Sequence, residues 1–510
     1  MSSLIPLYVL IPLGTAFLTT ILNRFSVQIG KALLNLALLF LTGLTIYLLV
    51  NSEGSIVCRV GGWADVAGIP IAIFMVVDGF SRLLLLIISL VGLLAAFYSL
   101  SYTPQYTAEG RFYVLFSLML AGMYGIVLSG DLFNMYVFLE VASIASYALV
   151  SFGIEKQQLE ASFKYQILGG IASLMVLLGI GFIYWNTGTL NLADISSQLS
   201  QSEIFLKFVA VLMIAGFGLK GAVFPFHSWL PDAHSSAPSP ISAMLSGVFI
   251  KAVGIYVLFR LFFNMFALSY EISMTLTVLG TLSMIIGVLL AIGQWDMKRL
   301  LAYHSISQMG YVVMAVGIGL ILLSTGGDKT VAAFSIFGGL FHLVNHSLFK
   351  GLLFLNAGSV EYRTGTRNLR KLGGLNRLMP TTSATSFIAS MSISGLPPFN
   401  GFFSKLIIII AAVLAKFYFL AFMAVFVSIV TLGSFLKIQK YAFFDKSNKN
   451  LENKDIKEAP FSMSFSMIIL AVLCVAFSLL ALPSLREVVI DPAVNTLLET
   501  VQYSINVLGN

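Results

Sequence analysis

The sequence predicts an all-α polytopic membrane protein of about fourteen transmembrane helices, two of them broken, built as two inverted five-helix repeats. Three observations carry this. Of 510 residues, 58% are hydrophobic and only 10% charged, against about 25% charged in an ordinary soluble protein, and the mean hydropathy is +0.94. Apolar runs of about twenty residues, the length that crosses the hydrocarbon core, recur along the chain. Two of those runs carry prolines at matching places in their order.

The runs fall near 4–22, 30–50, 75–100, 111–129, 132–153, 165–185, 205–229, 238–262, 273–293, 300–323, 331–358, 381–412, 417–438 and 461–482. The first has no Lys or Arg before it and reads as a retained helix, not a cleaved signal peptide. Loops after odd-numbered spans hold eighteen Lys and Arg, while loops after even-numbered spans hold five. The positive-inside rule then places the odd loops in the cytoplasm and both termini outside. The longest polar stretch, KYAFFDKSNKNLENKDIKEAP, precedes the last span and reads as a flexible cytoplasmic loop.

Span seven contains AGFGLKGAVFPFHSWLP and span twelve SISGLPPFNGFFSK. Proline removes a helix hydrogen bond and kinks or breaks the helix. Interrupted helices at matching positions point to inverted repeats around a midplane ion site. The expected organisation is spans one to three in 1–110, one repeat in 111–262, a second in 273–440, and a cytoplasmic loop, a last helix and a short external tail in 441–510.

Some ionisable residues fall inside spans: Glu140, Lys220, Lys251, His304, His342, His346, Lys350 and Lys405. A charged group at the centre of a membrane helix costs roughly 2.5–3.5 kcal/mol on insertion scales, so one glutamate and four lysines total roughly 12–17 kcal/mol. That is comparable with the roughly 5–15 kcal/mol net stability of a domain. Desolvation shifts a lysine toward neutrality and histidine titrates near physiological pH, so such a set suits proton transfer. Glu140 is the natural counter-ion for Lys220. His342, His346 and Lys350 are spaced by four and share one helix face. The plainer readings are that these charges only brace neighbouring helices, or that Lys350 snorkels to a helix end. His227 and His234 suit either structural hydrogen bonding or proton uptake, and Asp78 with Arg82 one turn on suits a structural ion pair.

Other chemistries are excluded or weak. The two cysteines, Cys58 and Cys474, are too few for an iron–sulfur cluster, which takes about four. His342 and His346 have zinc-ligand spacing, but Leu343 stands where HExxH needs glutamate. Gly216, Gly218 and Gly221 spell G-x-G-x-x-G inside an apolar span with no preceding strand, so they suit close helix packing and not a nucleotide. The basic residues lie in short loops and carry no nucleic-acid signal. No cofactor or metal is expected in the chain.

The segment GLKGAVFPFHSWLPDAHSSAPSPISAMLSGVFIKAVGIYVLFR resembles the signature of the antiporter-like subunit family. That family comprises the large proton-pumping membrane subunits of respiratory complex I, the A and D subunits of Mrp-type cation/proton antiporters, and their membrane-bound hydrogenase counterparts. SGDLFNMYVFLEVASIASYALVSF, LLAYHSISQMGY, HSLFKGLLFL and SGLPPFNGFFSKL resemble further family motifs, over roughly residues 70–440. The resemblance implies fourteen helices with two inverted repeats. It also implies a proton relay of Glu140, its partner Lys220, a bridging Lys251, central His304, His342, His346 and Lys350, and Lys405 at the terminus. Gln308 stands where some relatives carry histidine.

The expected function is proton translocation, with sodium as a second candidate ion, in a multisubunit respiratory complex of hydrogenase or complex I type. Partners would be other membrane subunits and a peripheral redox arm, in a prokaryotic plasma membrane. The alternatives are the D subunit of an Mrp-type antiporter, which the short segment after the last span resembles, and a structural membrane scaffold.

Overall fold

A computed structural model describes every residue except 53, 64, 66–68, 200–202, 267–268, 447–454 and 509–510. Part of the expected flexible loop, 447–454, therefore lies outside the described residues. Among the described residues, twelve helices are long and apolar enough to cross a membrane. The remaining two expected spans are the interrupted ones. Span seven ends its helix Glu203–Lys220 at Lys220, continues without regular helix through 221–228 and resumes as Trp229–Ser236. Span twelve is split into Pro380–Ser394 and Asn400–Leu414.

The span expected from residue 75 begins later. Ile73–Val77 is a strand paired antiparallel with Ile56–Val60, and the helix starts only at Gly79. Asp78 sets that start. Its carboxylate accepts from Ser81 N, and the Ser81 hydroxyl accepts from Asp78 N, a reciprocal cap that satisfies two otherwise orphaned N–H groups. The Asp78 carboxylate also pairs with Arg260, with contacts of 2.7 and 2.9 Å. Arg82, the partner that proximity in sequence suggested, reaches the Asp78 backbone carbonyl at 3.3 Å and not the carboxylate, and donates to Ser52 O at 2.5 Å and to Gly54 O.

The expected external tail is also structured. Pro483–Val489, Asp491–Leu498 and Thr500–Leu508 are short helices, and Tyr503 stacks beneath the Arg260 guanidinium. Gly79 is required where this tail crosses the bundle, because a Cβ there would overlap the Pro492 carbonyl.

The centre is the 36-residue helix Lys329–Thr364, about 54 Å long at 1.5 Å per residue. Asp328 caps its start, and Gly365 ends it in the left-handed conformation. It packs against Met297–Ser324, Pro380–Ser394, Asn400–Leu414, Phe461–Ala476 and Gly79–Tyr102, so residues 335–360 are buried on every side. Beside it runs Ser239–Asn264, interrupted by π-helical turns at Leu245–Phe249 and Lys251–Ile255. Such turns open the backbone hydrogen-bond ladder and are frequent at functional sites.

Candidate functional site

The first cluster forms where the Glu203–Lys220 helix stops. Glu140, Ser143 and Tyr147 recur at i, i+3 and i+7 on Leu132–Val150, hence on one face. Lys220 meets that face from the last turn of its own helix. Its Nζ donates to Ser143 Oγ at 2.9 Å and Tyr147 OH at 3.4 Å, and lies 3.7 Å from Glu140 Oε1. The hydroxyl of Ser173 also donates to Glu140. Lys220 is 2% exposed, whereas the Glu140 side chain is 30% exposed, so the carboxylate opens onto the outside of the bundle. The broken segment is tied down locally. Trp229 Nε1 donates to Leu219 O at 2.9 Å, and Phe224 N donates to Ser283 Oγ at 2.8 Å.

Lys251 follows across a close backbone contact. A Cβ at Gly254 would overlap the Gly221 backbone, so glycine there lets the π-turn of Lys251 touch the helix end of Lys220. Lys251 Nζ donates to Ser246 O at 3.0 Å and to Gly247 O, carbonyls in the adjoining π-turn. Lys350 does not snorkel. It is fully buried, donates to Leu301 O at 2.5 Å and lies over the Phe354 ring. His346 stands one turn before it, fully buried, with neither ring nitrogen hydrogen-bonded among the described residues.

His342 links the centre to the second break. One ring nitrogen lies 3.1 Å from Gln308 Oε1 and the other 3.0 Å from Ser404 Oγ. The neighbour of Ser404 is Lys405, whose Nζ donates to Ile393 O at 2.7 Å and Ser428 Oγ at 3.3 Å, over the Tyr311 ring. Ile393 lies in the last turn of Pro380–Ser394, so the ammonium sits at the negative end of a half-helix dipole. His304 is buried against Phe435.

All four lysines are thus buried, and three of them, Lys251, Lys350 and Lys405, are held by neutral carbonyls and hydroxyls. Glu140 is the carboxylate of the set, at one edge. Sequence reasoning singled out Gln308 but missed the neutral holders Ser143, Tyr147, Ser173 and Ser404; their only signal was position, close to a flagged charge or on a facing span. It also read Lys298 as a loop charge. Lys298 is 1% exposed, donates to Ala237 O and pairs with Glu361 at 3.4 Å. His234 is fully buried, against Trp229 and Phe354.

Residues 129–431, which contain every one of these buried ionisable side chains, match the family described as NADH:quinone oxidoreductase/Mrp antiporter, transmembrane. This chain belongs to that family. As a member, it is 35% identical over 463 residues to the D subunit of a Na(+)/H(+) antiporter from Alkalihalophilus pseudofirmus, covering 90% of each chain. It is 35% identical over 448 residues to the N subunit of an NADH-quinone oxidoreductase from Desulforudis audaxviator, covering 86% of each. Among solved structures, a chain of the Mrp complex from a Dietzia species superposes with a TM-score of 0.89 at 27% identity, over 100% of this chain and 99% of that one.

Proposed function

We propose that this chain is the proton-translocating, antiporter-like subunit of a multisubunit membrane complex, carrying protons laterally from Glu140 and Lys220 through Lys251, His346, Lys350 and His342 to Lys405. The carrying observation is that three buried amines on different helices are held, among the described residues, by neutral groups. A helix-bracing role calls for opposite charges, because breaking even against desolvation takes a well-formed pair. Amines held by carbonyls and hydroxyls can release a proton and take one back without leaving a partner charge stranded. His304 lies beside this line and His342 within it.

The partly exposed Glu140 supports a neighbouring protein at that edge, since an intramembrane carboxylate belongs in a protein interior or an aqueous cavity. The two helix breaks, at 221–228 and 395–399, support the inverted-repeat organisation with domains 111–262 and 273–440. The loop-charge bias supports a plasma-membrane orientation with both termini outside. Under this reading the driving energy comes from a peripheral redox arm. A second reading, the D subunit of a sodium/proton antiporter, is favoured by the near full-length similarity to such a protein.

The experiment is mass spectrometry of the intact complex purified through this chain, with transport in vesicles. Iron–sulfur or hydrogenase-like partners support the redox-driven form; only small membrane subunits, with sodium-dependent proton exchange, support the antiporter. Lys220→Met and Lys251→Met complexes that assemble and still translocate protons at the parental rate would sink the relay itself.

A further inference from the structure

The Lys220 amine and the Glu140 carboxylate stand farther apart than two opposite charges need to. Their separation is 3.7 Å, whereas a charge-assisted hydrogen bond closes to about 2.7–2.9 Å. The flexible four-carbon stem of lysine could make up the difference. Something holds each charge where it is.

For the carboxylate it is Ser173, whose hydroxyl donates to Glu140 Oε1, the same oxygen that faces Lys220. For the amine it is Ser143 at 2.9 Å and Tyr147 at 3.4 Å, one and two turns farther along the Leu132–Val150 helix. Both draw the amine along the helix, away from Glu140. Ser143 is fixed by its own backbone. Tyr147 reaches the amine at the end of a long side chain, so whatever seats its ring also places its hydroxyl. Gly169 leaves the space, because a Cβ there would come within 2.0 Å of the phenol oxygen. The ring meets Tyr165 edge-on, with centroids 4.5 Å apart at 87°, and Tyr165 lies flat on Trp229 at 4.1 Å and 3°. Trp229 opens the half-helix beyond the break, and its Nε1 donates to the carbonyl of Leu219, the neighbour of Lys220, at 2.9 Å. Tyr165 and Trp229 are buried, and in a close-packed interior neither ring moves without displacing the next.

We propose that Tyr147 is a positioning residue that holds the Lys220 amine off Glu140, and that Trp229 sets its place through Tyr165. The half-helix after the break thereby governs how closely the pair closes. A shift of Trp229 passes by ring contact to the phenol and so to the amine, and no group along that line gains or loses charge. This rests on reading Glu140 and Lys220 as the start of the relay.

The test is a double-mutant cycle on proton translocation by the intact complex in sealed vesicles. Tyr147→Phe removes one oxygen and keeps the ring. It is expected to slow translocation about tenfold, the size of one hydrogen bond to a charged group, because the amine then closes on the carboxylate. In a Glu140→Gln background there is no carboxylate to close on, so the same change should cost less than about twofold. Equal fold-losses in the two backgrounds mean that Tyr147 only packs, and overturn the proposal, as does a parental rate for Tyr147→Phe alone. Tyr165→Leu is expected to fall as far as Tyr147→Phe. Tyr165→Phe, which gives up only the bond from Ser146 and keeps both ring contacts, should recover most of the rate; equal rates for the two overturn the link to Trp229. Should Tyr147→Phe fail to assemble, Gly169→Ala displaces the phenol oxygen instead, and the same cycle is read on it. Glu140→Gln alone separates this claim from the one beneath it. If that complex translocates at the parental rate, the relay reading fails; if it is slow while Tyr147→Phe is normal, only the positioning role fails.

Discussion

Replacing Glu140 by Gln removes the carboxylate beside the buried Lys220 while keeping size and hydrogen-bonding shape. The Lys220 amine lies 3.7 Å from Glu140 Oε1. With an effective dielectric constant of about 20, Coulomb's law gives roughly 4 kcal/mol at that separation. The Glu140 side chain is 30% exposed in the isolated chain, so about half of that, roughly 2 kcal/mol, is retained after screening. If this coupling is used to move the proton on and off Lys220, its loss slows translocation by about 30-fold. The amine keeps Ser143 and Tyr147 as partners, so the protein still folds. The assay is proton uptake into sealed vesicles, followed by a pH-sensitive dye, with complex abundance checked on a native gel. Glu140→Asp, which keeps the charge on the same face, should fall between parent and Glu140→Gln. A normally assembled Glu140→Gln complex that pumps at the parental rate refutes the reasoning, because the pair would then be structural.

Lys350→Met is expected to leave thermal stability unchanged or raise it, because it removes a buried ammonium whose partners are one carbonyl and one ring, while translocation is lost. Destabilisation with transport intact would instead favour the scaffold reading. Arg260→Met strands the buried Asp78 and should cost about 3–5 kcal/mol, with partial recovery in Asp78→Ala/Arg260→Met; detergent thermal melts measure both, and no recovery would mean the two do not act as a pair. Gly254→Val forces the Lys251 π-turn off Gly221, costing about 1–3 kcal/mol of overpacking. Transport should fall further than assembled yield, and parallel losses would count against the contact's role in the relay.

Composition and pattern alone determined the membrane class, the approximate spans, the two breaks and most of the charges buried inside spans, though not Lys298. These are local properties: twenty apolar residues need a bilayer, a proline inside such a run needs a break, and a charge there needs a reason. The boundaries that failed did so where pairing is non-local. Residues 75–77 are apolar enough for a helix, but the strand at Ile56–Val60 claims their backbone hydrogen bonds. Asp78 had a plausible arginine one turn away, yet its carboxylate pairs with one 182 residues distant, because a buried carboxylate is satisfied by whichever guanidinium packing delivers. The neutral groups holding Lys251, Lys350 and Lys405 were invisible for a related reason. Backbone carbonyls have no sequence signature, and only a π-turn, a neighbouring helix or a helix end makes them available. The side chains that carry charge are written in the sequence. What surrounds each amine, and so whether its proton can move, is decided only when the helices pack.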